Sequence, residues 1–457
     1  MSLAPLPYDP AAVSIGVAHL GPGAFHRAHQ AWYFHRLLAS DPTWGISAIS
    51  LRSDDLRAAL EPQNGLYVLT ELDAETRFET IGVHREILTA PREPAAVLAR
   101  LADPATRIVT LTITEKGYCL APDGTLDFSH PDIAADLANS DRPTSAIGWL
   151  AQGLSLRRAA GNAPFTVVSC DNIPDNGHRL RAAVLALSAR RDPALAAWIG
   201  VNVRFPRTMV DSITPAADEA LRSRVLAETG FADAWPIQRE TFCQWVIEDL
   251  SDPALTPLAE VGVTFTPDVA GFEAAKLRLL NGPHSTLAYL GLARGHETVA
   301  EAMADPALAA FTEALMREDI APFVRPAPGL DIPAYIAAVL ARFRNPAIRH
   351  RLAQIAWDGS QKLPIRLMGT AVEALAAGAR IDRLAVPIAA WARFVITAAK
   401  TGQPITDPLA DRLLALGRTA TGPDPCLDLD LVPAALKSSP AFRAAVRAAF
   451  DRLPELP

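Results

Sequence analysis

In SIGVAHLGPGAFHRAHQ, residues 14 to 30, an apolar run from Ile15 to Leu20 meets Gly21 and Gly23 and then passes into a helical pattern. Strand, glycine turn and helix in this order open a dinucleotide-binding fold. Gly21 and Gly23 permit a tight turn and let the backbone approach a pyrophosphate, which then sits at the start of the helix. His26 stands where the fingerprint has a third glycine, and Phe25 and Arg27 beside it are further candidate cofactor contacts. The next strand-like run, GISAISL (45 to 51), ends in Arg52, Ser53, Asp54 and Asp55. A carboxylate after the second strand accepts hydrogen bonds from the ribose hydroxyls and repels a 2′-phosphate, so Asp54 and Asp55 point to NAD rather than NADP. Arg52 at the same turn pulls the other way, since a guanidinium welcomes that phosphate.

Working outward, IVTLTIT (108 to 114), PFTVVSC (164 to 170) and VNVRFP (201 to 206) read as further strands, with helical patterns such as PAAVLARLA (94 to 102) and HRLRAAVLALSARR (178 to 191) between them. Alternation of this kind implies a mostly parallel sheet. After VGVTFTPDVA the pattern turns helical almost throughout, as in IPAYIAAVLARF and AVPIAAWARFVITAAK. The expected architecture is therefore an α/β chain with a Rossmann-type domain over residues 1–266 and a mainly α-helical substrate domain over 267–457.

The helical half opens with KLRLLNGPH (276 to 284), which sets a lysine, an amide and an imidazole along one short apolar segment. As an α-helix, steps of five and three residues keep Lys276, Asn281 and His284 within an arc of roughly 140°. A desolvated lysine is a candidate general base, and an amide and an imidazole beside it could polarise a substrate oxygen. Pro283 removes one helix hydrogen bond in this segment, which bears on where His284 points.

Taken together, HLGPGAFHRAHQA (19 to 31), TITEKGYC (112 to 119), SCDNIPDNGH (169 to 178), FPRTMVDSITP (205 to 215), WVIEDL (245 to 250), KLRLLNGPHSTLAYLG (276 to 291) and DGSQKLPIR (358 to 366) resemble the long-chain polyol and uronate dehydrogenases, the family of mannitol 2-dehydrogenase and fructuronate (mannonate) reductase. The resemblance runs over nearly the whole chain. It implies Lys276 as general base, Asn281 and Asn172 as the pair that stabilises the oxyanion, and His284 as a ligand of a substrate hydroxyl. It also implies Asp211 near the nicotinamide and Glu273 beside the proton path. TEKGYC and DGSQKLPIR look more like the fructuronate reductase branch, and the LRSDD turn more like the polyol branch. D-fructuronate and D-mannonate are therefore the leading substrate pair and D-mannitol and D-fructose the alternative. An NAD-binding regulatory protein without turnover is a remote third reading, against which the retention of Lys276, both asparagines and His284 argues.

Composition narrows the partners. A formal net charge of -7 and the absence of basic runs argue against nucleic acid, so the partner is a small sugar acid or polyol. An anionic substrate needs a locally positive pocket, and Lys362 and Arg366 are the candidates for it. No uninterrupted apolar run reaches the roughly 18 residues that span a bilayer. The start, MSLAPLPYDPAAV, lacks the pattern of a secretory signal, so a cytoplasmic location is expected. Cys119, Cys170, Cys243 and Cys426 lie far apart in sequence, which suggests reduced thiols and no metal site.

Overall fold

The computed structural model describes residues 5–453, so the first four residues of the stretch read above for a targeting signal lie outside it. The chain divides into two compact units, Met1–Val269 and Ala270–Pro457.

Five parallel strands form the centre of the first unit: β1 (Ile15–Leu20), β2 (Gly45–Ser50), β3 (His84–Thr89), β4 (Ile108–Leu111) and β5 (Thr166–Ser169). Their spatial order is β3-β2-β1-β4-β5, so the order reverses beside β1, where α/β folds bind ligands at the carboxyl ends of their strands. Both faces of the sheet are covered, which is why its strands read as apolar runs. On one face Val17, Ile46 and Ala48 pack with Tyr33, Phe34 and Leu37 of the helix Gln30–Leu37. On the other, Ala18, Leu20, Ile49, Val109 and Leu111 pack against Val97, Leu150 and Val184 from three helices. Full burial of each such Val, Leu or Ile contributes roughly 1.5–3 kcal/mol.

The helices Pro94–Ala102 and Asn176–Arg191 occupy the stretches whose 3.6-residue spacing predicts them. VNVRFP is different. Asp192 caps a helix, Pro193–Asn202, by accepting from the Ala194 amide, and that helix runs into the expected strand. Val201 is left 86% exposed, so its β-branched character serves no sheet. The strand forms later, at Thr208–Asp211, antiparallel to Gln244–Glu248, which in turn pairs with Thr264–Thr266. A third small sheet joins Arg77–Ile81, Tyr67–Leu72 and Ile237–Glu240.

In the second unit the helix Asp382–Thr401 packs against Gly282–Ala293, Ala410–Thr419 and Pro440–Arg452. At 20 residues, with a mean hydropathy of 1.2 over its 18-residue apolar window, it is long and apolar enough to cross a bilayer, but 67% of that window is buried inside the protein. Its apolarity is accounted for by this central packing position.

Candidate active site

A cavity of about 850 Å³ opens at the carboxyl ends of β1, β2 and β4, with Gly21, Gly23, Arg52, Ser53, Thr112 and Lys116 in its wall. Gly21 has φ +82°, and a Cβ there would come within 2.5 Å of the Thr112 carbonyl oxygen. Only glycine fits both the left-handed backbone and the close approach. The turn is pinned: the Thr112 hydroxyl donates to the Gly21 carbonyl at 2.7 Å, and the Gly21 amide to that of Ile49 at 3.0 Å. A Cβ on Gly23 would meet no atom closer than the Gly21 carbonyl oxygen, at 4.0 Å.

His26 points into the protein. Its ring stacks on His19 at 3.4 Å, and its Nε2 lies 2.9 Å from Nε2 of His84. His19 is held by the Thr110 and Thr112 hydroxyls at 2.7 and 2.9 Å. Burial, with the neighbouring histidines adding to it, holds His19 and His26 well below the usual imidazole range and pushes His84 down to about 3. All three are neutral packing elements, and a stacked ring occupies the place of the third glycine.

Several expected cofactor contacts lie elsewhere. Asp54 is engaged by Arg92 at 2.8 Å, and Asp55 accepts from the Ser53 hydroxyl at 2.9 Å. Neither lines the cavity, whose wall at this turn is Arg52 and Ser53. Asp54 stands at the N-cap position of the helix Asp55–Leu60 without a side-chain bond to it, and its carboxylate is held instead by Arg92, on the loop after β3. Arg27 is fully buried between Tyr67 and Trp235, at 5.6 and 4.7 Å from their rings, and donates to the Trp235 carbonyl. It therefore supports a cavity wall, since Trp235 itself lines the cavity. Phe25 stacks on His29 at 4.9 Å. Asp211 ends its strand, buried, opposite Gln244, and is not among the cavity-lining residues.

Asn172 is exposed, but its neighbour is tightly held. The Asp171 carboxylate accepts from the amides of Ile113 and Thr114 at 3.1 and 2.8 Å and from the Tyr118 hydroxyl at 2.9 Å. Burial pushes this carboxyl up, while the three donors stabilise its charged form. The loop after β5, which carries Asn172, is thereby tied to the cavity-lining loop after β4. Thr114, at φ +62°, is the residue that takes up the strain of this tie.

In the second unit, Lys276 and Asn281 bound a π-helical segment, Lys276–Asn281, whose closing bond runs from the Gly282 amide to the Leu277 carbonyl. The α-helical spacing assumed from sequence is thus replaced by i to i+5 geometry, which sets Lys276 and Asn281 one turn apart on the same face. Pro283 explains the change. It lacks the N–H for an ordinary helical bond, and it sits in the first turn of the helix Gly282–Ala293, where none is needed. His284 is consequently buried, packed on Phe343 at 4.3 Å and His350 at 5.1 Å. Glu273 lies one turn before Lys276 on the helix Val269–Ala275.

A second π-helical segment, Pro364–Met368, carries Arg366, which donates to the Ser285 hydroxyl at 3.1 Å and the Asn281 carbonyl at 3.4 Å. Lys362 donates to the Ile355 carbonyl at 3.4 Å and lies 4.0 Å from Asp358. These cations crowd one another. Burial, then His350, Arg342 and Arg366, hold His284 well below its ordinary range; burial, then Arg366, lowers Lys362. Burial pushes Arg366 down to about 10, and His350 is lowered by burial and by Lys362. His284 Nε2, His350 Nδ1 and Arg366 Nε are buried without hydrogen-bond partners among the described residues. Of these, the Arg366 Nε–H is a buried charged donor, and an incoming anion supplies the acceptor it lacks.

Trp235, Asp171 and His350 are the residues that sequence reasoning missed, whereas Arg52 was legible at the ribose turn. Trp235 and Asp171 carry no local signal, since their partners are distant in the chain. His350 had one: five basic side chains fall within RFRNPAIRHR, residues 342 to 351.

The chain matches the family description "Mannitol dehydrogenase Rossmann domain" over residues 15–258 and "Mannitol dehydrogenase C-terminal domain" over 268–453. It is 41% identical to the D-mannonate oxidoreductase of Escherichia coli (strain K12), over 98% of this chain and 95% of that protein. Among solved structures it resembles a D-sorbitol dehydrogenase in substrate-free form, with TM-score 0.91, 31% identity and coverage of 98% and 95% of the two chains. It also resembles the Pseudomonas fluorescens mannitol 2-dehydrogenase ternary complex with NAD and D-mannitol, with TM-score 0.79, 37% identity and coverage of 99% and 95%.

Proposed function

Since this chain belongs to the mannitol dehydrogenase family and is an oxidoreductase acting on CH–OH groups, we propose that it interconverts D-mannonate and D-fructuronate with NAD. The observation that carries the choice of a sugar acid is the buried Arg366 guanidinium, whose Nε has no partner among the described residues, beside Lys362 and the unpartnered ring nitrogens of His284 and His350. A neutral polyol would leave those charges uncompensated, whereas a carboxylate supplies the missing acceptor and counter-charge. The likeness to the D-mannonate oxidoreductase supports the same reading, and the mannitol and sorbitol enzymes among the solved structures support the second one, mannitol to fructose.

The cavity beside β1 suits a dinucleotide, with Gly21 and Gly23 giving the backbone approach that a pyrophosphate needs and Arg52 and Ser53 at the ribose turn. NAD bound there supplies the hydride acceptor in the oxidative direction. Lys276, as the free amine, takes the proton of the substrate hydroxyl, and the ammonium returns it in reduction. By the family resemblance Asn281 and Asn172 are the donors for the oxygen as negative charge develops on it, and His284 is the ligand of a neighbouring hydroxyl, through an Nε2 without a partner among the described residues. Parallel assays with D-mannonate and D-mannitol, each followed by NADH absorbance, test the reading. Turnover of mannonate well above that of mannitol is expected, and the reverse order would replace the sugar acid by the polyol.

A further inference from the structure

The loop after β4 closes in a short helical turn, Glu115–Tyr118, that ends on Cys119 in the left-handed conformation, φ 52°. The chain then forms a tight hairpin. The Asp127 amide donates to the Cys119 carbonyl at 2.9 Å, and Ala121 to Thr125 at 2.8 Å. It enters the helix Pro131–Ala138 through His130, whose ring caps that helix. This path brings Cys119, His130 and Asp132 together, with one ligating atom of each within 4.8 Å of those of the other two. Cys119 is 4% exposed and the others are half-buried.

A sulfur, an imidazole nitrogen and a carboxylate oxygen form a donor set for zinc-class ions, and three protein ligands leave a fourth position open. We propose that Cys119, His130 and Asp132 bind a zinc-class divalent cation, and that its occupancy weakens binding of the dinucleotide. The link is Asp132, whose side belongs both to this triad and to the wall of the cavity, as do Lys116 and Gly117 just before Cys119. Drawing the Asp132 carboxylate onto a cation reshapes that wall. Binding breaks the Cys119 S–H bond, forms a metal–sulfur bond and releases one proton to solvent; the imidazole and carboxylate contribute lone pairs, and nothing is oxidised. The Asp132 amide donates to His130 Nδ1 over 3.2 Å, so a metal bound through that nitrogen displaces only a weak cap.

The site itself stands apart from the functional reading, whereas the effect on cofactor rests on it, and two measurements separate them. Cobalt(II) added to the metal-stripped protein is expected to give a thiolate-to-metal absorption band that zinc abolishes. The band is expected to vanish in Cys119→Ser and to need about 10- to 100-fold more cobalt in His130→Ala. No band, or the same titration in both variants, overturns the site. Zinc is then expected to raise KM for NAD severalfold in the parent enzyme and to leave it unmoved in His130→Ala, whose metal-free activity matches the parent. A cobalt band accompanied by an unchanged KM overturns the coupling, and equal zinc inhibition of parent and variants overturns the assignment of that inhibition to these residues.

Discussion

A Cβ on Gly282 would lie 3.0 Å from the carbonyl oxygen of Arg366, so two π-helical segments of the second unit meet at a position where a methyl group is tight. The same point is 3.8 Å from Ile320, the last residue of a third π-helical segment, Leu315–Ile320. Gly282→Ala must therefore push Arg366 away by a few tenths of an ångström. Overpacking of this sort costs about 1–3 kcal/mol, and small displacements of positioning groups cost activity out of proportion. A lower thermal midpoint and a fall in kcat/KM for the sugar acid are expected together. Parent-like values in both would show that the contact is slack.

Lys276→Ala is expected to lower turnover by about 10²- to 10⁴-fold, the range for loss of a general acid–base, with the dissociation constant for NAD little changed. Fluorescence titration of NADH alongside steady-state kinetics checks both halves. A variant that folds and turns over normally would remove Lys276 from the mechanism.

For Arg366→Met, the removal of one partner of a desolvated charge pair is expected to cost roughly 2–5 kcal/mol in transition-state binding of fructuronate. Any activity on fructose should barely change, because that substrate brings no carboxylate. Equal losses on the two substrates would instead assign Arg366 to holding Ser285 and Asn281 in place.

At the ribose turn, Arg52 lines the cavity and Asp54 is occupied by Arg92. Arg52→Ala is expected to reduce whatever use of NADP the enzyme shows relative to NAD, and Asp54→Asn to shift the ratio much less. The ratio of kcat/KM values for the two cofactors decides it, and a larger shift from the Asp54 change would return the selectivity to the carboxylate.

The buried histidines set a pH window for stability. His19, His26 and His84 have folded-state values held below the unfolded 6.5, so the unfolded chain binds more protons once the pH falls through 6.5. Their contribution is complete above about pH 6.5 and is lost below it, at up to about 1.4 kcal/mol per pH unit for each histidine. Carboxylates with lowered values, such as Glu86, act at more acidic pH, and carboxyls pushed up by burial, such as Glu79, Asp136 and Asp171, act in the opposite sense as the pH falls, so the histidine effect is clearest just below pH 6.5. Thermal unfolding there should show a steep fall, and a flat profile would mean that these rings are hydrated.

Much of the fold was legible because its signals are local. The apolar run Ile15–Leu20 followed by Gly21 needs only neighbouring residues to declare a strand and a turn, and Lys276, Asn281 and His284 announced themselves by polarity within an apolar segment. VNVRFP misled because the cap at Asp192 outweighed β propensity, and the pairing of Asp54 with Arg92 was hidden because the two are 38 residues apart. The π-helical geometry was hidden for a similar reason. Pro283 was visible, but the close approach of Gly282 to Arg366 that accompanies the π-helical turn joins segments far apart in sequence.

The tie made by Asp171 fixes the loop beside Asn172 entirely with groups of the cofactor-binding unit, while the crowd of positive side chains around His284 is drawn from the second unit. On the proposed reading, the residues that hold the dinucleotide and those that choose the substrate are thus encoded in separate parts of the gene. On that reading, a duplicated copy could exchange a sugar acid for a neutral polyol by a few replacements between positions 342 and 366 and keep its dinucleotide site intact. That economy gives a physical basis for one architecture being shared by proteins named for mannonate, mannitol and sorbitol.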